Sequence, residues 1–320
     1  MNLTRYSASD QDRWDSFVRD SKNGTFIIDR RFMDYHSDRF KDCSLLFHDG
    51  NKVVAVLPAN ISEDGKTLYS HQGLTYGGLI MSKDISQDKV LECFDLMKNY
   101  CLSELGVDTL LYKPIPYIYN SIPSDEPLYA LFRHNAKLIA RGVSQCIDTH
   151  HRIPLTESRK SGLRKAERNT VTIHETKDYH AFWSILSDVL TRLHGAKPVH
   201  SAEEIDLLSN RFPGSIRLYG AYLPDGTMAA GAWVFICGET LHTQYLAATD
   251  EGKRCGAQDK LIDTIISLHE RDTKHFDFGV STEDGGHILN SGLTFQKEGF
   301  GGRGVCYDCW RIDWNEEKNE

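Results

Sequence analysis

Long hydrophobic runs are what this chain most plainly lacks. Nowhere in its 320 residues do apolar side chains approach the roughly 20 in succession that cross a bilayer as a helix, so no membrane span is expected. A basic excess is missing too. The formal net charge of −8 speaks against a general nucleic-acid binder, whose affinity comes from Lys and Arg neutralising phosphates. Nor is a disulfide framework spelled out. The eight cysteines are scattered, mostly inside apolar runs such as "WVFICG" and "VLECFDL", as buried thiols of a reducing compartment are. Cys306 and Cys309 form a CxxC, but an extended chain points them to opposite faces. No second pair or close His completes a zinc set, and no metal is expected. The opening "MNLTRYSASDQDRW" has polar residues where a secretory signal carries its apolar core, so the expected location is cytoplasmic.

What is present has the pattern of a mixed α+β protein with enough apolar material for two domains. "CSLLFHDGNKVVAVLPANI" reads as two strands joined at Asp49-Gly50, and "EDGKTLYS" adds a turn and a strand. Val90, Leu91, Phe94, Met97 and Leu102 then fall at helical spacing, with Gly106 as a stop before the strand "VDTLLYKPIP". A helix near Glu126 to His134 and a strand around Ala140 to Thr149 close the first half. The second half repeats the order: a basic helix from Glu157 to Glu167, the strand "VTIHE", the helix "DYHAFWSILSDVLTRLHG" and a three-strand meander turning at Pro224-Asp225-Gly226 and Gly238-Glu239. Next come a helix from Gly256 to His269, the strand His275 to Gly279, a helical segment near Gly286 to Leu293 and a closing strand Val305 to Trp314. These readings give domains 1–150 and 151–320.

A meander followed by a helix and a parallel strand resembles the GNAT acyltransferase fold. Two such units, with "SGLRKAERNTV", "YLAATDEGKRCGAQDKLI", "FDFGVSTEDGG" and "GLTFQKEGFGG" in that order, resemble the Fem-like branch of that superfamily, which includes aminoacyl transferases of cell-wall precursors and related acetyltransferases. The resemblance implies a tandem GNAT architecture, each domain a largely antiparallel twisted sheet flanked by helices. It also implies acetyl-CoA or another acyl-CoA as donor and an amino group of a sugar or peptidoglycan-like precursor as acceptor. Two alternatives stand beside it: aminoacyl transfer from a charged tRNA, with the basic helix as foothold, and a GNAT fold that binds a ligand without catalysis.

The same resemblance assigns residues to roles. In GNAT enzymes the loop after a bulged strand turns backbone N–H groups toward the cofactor pyrophosphate, and the next helix aims its positive end there. Here Gly256 and Ala257 would allow close approach, with Lys253 and Arg254 adding charge. The family's loop ends in Gly or Ala where this chain has Gln258. An oxyanion donor is expected at the backbone near Leu246 or Ala247. Glu283 is the candidate base, with Asp284 and His287 as neighbours, although "STEDGGHI" suits a helix cap equally well. Tyr245 is a candidate acid or a packing partner, and Asn290 and Lys297 would lie along the cofactor, Lys297 on a phosphate. In the first half, "YSHQGLTYGGLI" offers no Lys or Arg, which speaks against a second cofactor site; the resemblance makes the first unit the acceptor side, with His71, Tyr76, Lys113 and Tyr117 as the contacts.

Overall fold

In the computed structural model, which describes residues 1–195 and 197–315, the chain forms two units. One comprises Met1–Gly142, Thr282–Ile288 and the described residues from Cys306 to Asn315; the other comprises Val143–Ser281 and Leu289–Val305. In the first, β1 (Asn2–Arg5) precedes α1 (Gln11–Asp20) and α2 (Arg30–Met33). Strands β2 (Lys41–Asp42), β3 (Leu45–Asp49), β4 (Lys52–Leu57), β5 (Asn60–Ile61), β6 (Thr67–Tyr69) and β7 (Ile80–Met81) follow, then α3 (Gln87–Tyr100), β8 (Thr109–Tyr112) and α4 (Glu126–Arg133). The β3–β4 hairpin forms as expected, although its turn is Gly50-Asn51, one residue on, because Asp49 pairs with Lys52; its antiparallel sheet runs β1-β3-β4-β7. Helix α3 buries Val90, Cys93, Phe94 and Met97, a stripe at helical period, on Leu45, Phe47, Leu57 and Leu110 of the sheets. Strand β8 is parallel to β6 and, on its other edge, antiparallel to the last strand of the chain, with Trp310 opposite Tyr112.

The second unit takes up β9 (Lys137–Asp148) from its middle, then α5 (Glu157–Arg168), β10 (Thr172–Thr176), α6 (Tyr179–His194), α7 (Ala202–Arg211), β11 (Ile216–Tyr222), β12 (Met228–Cys237) and β13 (Thr240–Ala248). Helices α8 (Asp250–Cys255) and α9 (Ala257–His269) lead to β14 (His275–Val280), the small hairpin β15 (Thr282–Glu283) and β16 (Ile288–Leu289), α10 (Ser291–Gly299) and β17 (Arg303–Asp313). Its strands lie in the order β10-β11-β12-β13-β14-β9. All neighbours are antiparallel except β13 and β14. Strand β12, "MAAGAWVFIC", is buried on both faces, so it shows no alternation. Val234 joins Leu261, Ile262, Ile265 and Ile266 of α9 in one core, while Trp233 donates its indole N–H to Ser209 of α7 at 3.3 Å.

Several expectations change. The chain passes between units at 142/143, within β9, at 281/282 and 288/289, around the β15–β16 hairpin, and at 305/306, within β17. Helix α7 was not read from "SAEEIDLLSNR", although Ser201 and Glu204 form a reciprocal capping box there. The segment after β13, read as a loop, is helical: Thr249 caps α8 by accepting the Gly252 N–H. At Gly286 there is only a single 3-10 turn, Asp284–Gly286; positive φ at Asp284, Gly285 and Gly286 makes it the turn of a hairpin, and the α-helix starts at Ser291. Among the described residues no helix is long and apolar enough to cross a membrane.

Candidate active site

Two irregularities in the second unit's sheet coincide. Along the β12–β13 ladder the pairing steps from Val234↔Thr243 to Trp233↔Tyr245, so Gln244 has no partner across and forms a bulge. On the other edge of β13 the parallel ladder with β14 holds only from Thr240↔His275 to His242↔Asp277. Past that pair the backbone ladder ends, with the Thr243 hydroxyl still donating to the Asp277 carbonyl at 3.5 Å, and the sheet opens at the carboxyl ends of the strands, where ligands gather in such sheets. The bulge therefore lies just before Leu246 and Ala247, the expected donor positions. Ala247 itself is buried and pairs with Gly231.

A buried polar group closes the last rung of that ladder. Asp277 is fully buried and accepts from His242 Nδ1 at 2.8 Å through Oδ2, while the Ser144 hydroxyl donates to its Oδ1. Both carboxylate oxygens are thus bonded, the condition for tolerating a charge in the interior. The nearby Lys297 side chain, from α10, is only 7% exposed. Its ammonium donates to the carbonyls of Gly279 at 2.7 Å and Val280 at 3.1 Å and to the Ser281 hydroxyl at 2.8 Å. Burial pushes the Lys297 ammonium down to about 8, against the opposing pull of Asp277. With its donors so engaged, Lys297 holds the end of β14. Ser281 Oγ in turn donates to Gln145 Oε1 at 2.5 Å.

Tyr245 is held in an aromatic nest. Its hydroxyl meets His200 Nδ1 at 2.9 Å, and its ring stacks on Trp233 with centroids 5.9 Å apart. Burial raises its phenol pKa, which keeps the proton on. Asn290 caps α10, its Oδ1 accepting the Leu293 N–H at 3.1 Å.

The expected phosphate loop is compact. Lys253 and Arg254 are exposed, and Arg254 pairs with Glu251 one turn back. Gly256, at φ +83°, presses on α5 so closely that a Cβ there would stand 2.1 Å from the Gly162 carbonyl oxygen. Ala257 is fully buried. Arg159 of α5 pairs with Asp259 in the first turn of α9. So Gly256 and Ala257 serve a helix–helix contact. On the outer face of α5, Lys160, Arg164, Lys165 and Arg168 are exposed.

In the first unit, three of the four expected acceptor contacts are internal. The His71 ring lies against Phe40 with centroids 5.3 Å apart. Tyr76 donates to Thr25 Oγ1 at 3.2 Å, and Lys113 donates to the Leu74 carbonyl, with burial lowering its ammonium to about 8. Tyr117 alone among them is exposed. Glu283, Asp284 and His287 stand exposed on the β15–β16 hairpin. Reading the sequence missed His242, Asp277 and Ser144. The available signal was "HFDFG", where Asp277 alternates with two core phenylalanines and so occupies one face of a fully covered strand, a place where a carboxylate needs partners.

Residues 156–284 match the family model described as the acetyltransferase (GNAT) domain. Across nearly its whole length the chain superposes on the crystal structure of FemX, with a TM-score of 0.67 at 11% identity, covering 96% of this chain and 97% of that one. The fold is that of the GNAT superfamily in its Fem-like, two-unit form. L-PGS from Bacillus licheniformis gives 0.63 at 9% identity, over 96% of this chain and 93% of that one. A tandem GNAT protein from the clavulanic acid biosynthesis pathway gives 0.52 at 13% identity, over 99% of both. No curated protein matches in sequence. The splayed β13–β14 pair and the bulge at Gln244 sit inside the residues matched to the GNAT domain, which supports acyl transfer as the class of chemistry. Among the described residues no cluster of His, Cys, Asp and Glu is arranged to hold a metal.

Proposed function

We propose that this protein is an N-acyltransferase, moving an acyl group from an activated carrier to an amino group of a sugar or cell-envelope precursor. The observation that carries the reading is the bulge at Gln244 beside the point where β13 and β14 part. In acyl transfer an amine attacks a carbonyl whose oxygen takes up negative charge. A backbone N–H fixed at a bulge meets that charge without reorganising, and such a donor is worth about 3–4 kcal/mol of barrier. Tyr245, its phenol kept protonated by burial, suits protonation of the leaving group.

For the donor, an acyl-CoA such as acetyl-CoA is the first reading, supported by the acetyltransferase (GNAT) match. The close seat of Gly256 on Gly162 narrows the room for a diphosphate at α9. The exposed face of Lys160, Arg164, Lys165 and Arg168, with Lys253 and Arg254 on α8, favours a second donor, an aminoacyl-tRNA. Thermal melting in the presence of each separates them. Ligand at 100 times its Kd stabilises the native state by about 2.7 kcal/mol, a shift of several degrees. Stabilisation by acetyl-CoA and not by charged tRNA supports the first donor; the converse supports the second. A chain that neither stabilises and that transfers from neither is not an acyltransferase.

A further inference from the structure

We propose that His242 is the general base of this transfer and that Asp277 is the residue that positions it, an assignment that rests on the transferase reading above. Three observations converge. First, Asp277 is fully buried, and an ionised carboxylate can only accept hydrogen bonds. Its 2.8 Å contact with His242 Nδ1 therefore puts the imidazole proton on Nδ1 and leaves a lone pair on Nε2. The Ser144 hydroxyl on the second carboxylate oxygen fixes the carboxylate in turn. Second, Nε2 has no hydrogen-bond partner among the described residues, and His242 keeps 8% of its surface. Third, the ring edge bearing Nε2 borders a residue without a side chain. A Cβ at Gly279 would lie 3.3 Å from His242 Cε1 and 4.0 Å from Nε2, so glycine leaves that edge clear. His242 is also the last paired residue of the β13–β14 ladder, two positions before the bulge.

The step balances as follows. The acceptor arrives as an ammonium and gives one proton to Nε2. Its nitrogen lone pair forms the N–C bond, the carbonyl π pair moves onto oxygen, and collapse of the tetrahedral adduct expels the thiolate or alkoxide of the donor. That leaving group takes a proton, from Tyr245 or from the imidazolium, and the proton still on the new amide nitrogen is released.

Two readouts test this on the full chain. Diethyl pyrocarbonate reacts with an unprotonated, reachable imidazole nitrogen, so peptide mass spectrometry of the folded protein should find His242 modified. Kinetics then compares His242→Gln, Asp277→Asn and Glu283→Gln with acetyl-CoA or charged tRNA as donor and glucosamine as acceptor, melting curves confirming that each folds. Loss of a general base lowers turnover by about 100-fold or more, and the first two variants should show that loss in kcat with KM little changed. Hydroxylamine, already a free base at neutral pH, should be spared most of it. Added imidazole should restore part of the rate of His242→Ala and none of that of Asp277→Asn, where the residual ring fills the site in the wrong tautomer. An unlabelled His242 in an active parent overturns the assignment, as does a His242→Gln enzyme of parental kcat beside an inactive Glu283→Gln. A parent that turns over neither donor removes the transferase reading itself and this assignment with it.

Discussion

Gly279 illustrates how one residue governs the site. Its φ of +74° lies in the left-handed region, which costs an L side chain about 1–2 kcal/mol, and a methyl there would press on His242 Cε1. Gly279→Ala should lower the unfolding free energy read from urea denaturation by an amount in that range. Lys297 is the reverse case, a long side chain spent entirely inside. Lys297→Met keeps most of the volume but strips the Gly279 and Val280 carbonyls of their donor. At about 1–3 kcal/mol for each buried acceptor left bare, equilibrium unfolding should show a loss of roughly 2–6 kcal/mol; an unchanged midpoint would mean the ammonium is not what holds β14. This inward role is not legible in the residue pattern, because a Lys four residues before a glycine turn reads the same whether it points to water or to the carbonyls at the end of a strand.

At the level of elements, the order of strands and helices was readable wherever period and punctuation agreed, as in α3 with its Val90–Phe94–Met97 stripe and in the β3–β4 hairpin. Helix α7 escaped because its ten residues carry as many charged side chains as apolar ones, which blurs the stripe, although its cap chemistry was written out. Ser201→Ala should cost about 1 kcal/mol, measurable by chemical denaturation. The glycine of the α8–α9 elbow shows a deeper ambiguity. A missing side chain permits the close approach of a phosphate or of another helix, and the residue type cannot say which. Here Gly256 admits Gly162 of α5, so Gly256→Ala should destabilise by more than the about 1 kcal/mol of a backbone preference, since the obstructing atom is a carbonyl that cannot rotate away. If Gly256→Ala instead leaves stability intact while abolishing the melting shift with acetyl-CoA, the glycine serves the cofactor.

For the molecule as a whole, buried ionisable groups set a pH limit. Burial raises the thiols of Cys43 to about 11 and Cys101 to about 12 and also raises those of Cys93 and Cys146. A group that holds its proton more tightly when folded contributes stability that is complete below its unfolded value, 9.0 for these thiols, and drains away as pH rises toward the folded value. Lys113 and Lys297, lowered to about 8, act the other way: their burial cost fades between about 8 and the unfolded value of 10.5. With the thiol shifts the larger group, urea midpoints should fall between pH 9 and 10.5, and Cys101→Ala should flatten that fall.

The pairing of β8 with residues 310–313 of β17 also bears on biosynthesis. A ribosome that has released the first 150 residues has made a sheet with one seam still raw, and residues 310–313, made much later, close it. The nascent protein must therefore keep that edge from adhering to neighbours while the entire second unit is translated, and a fragment cut at residue 150 should aggregate where the full chain does not.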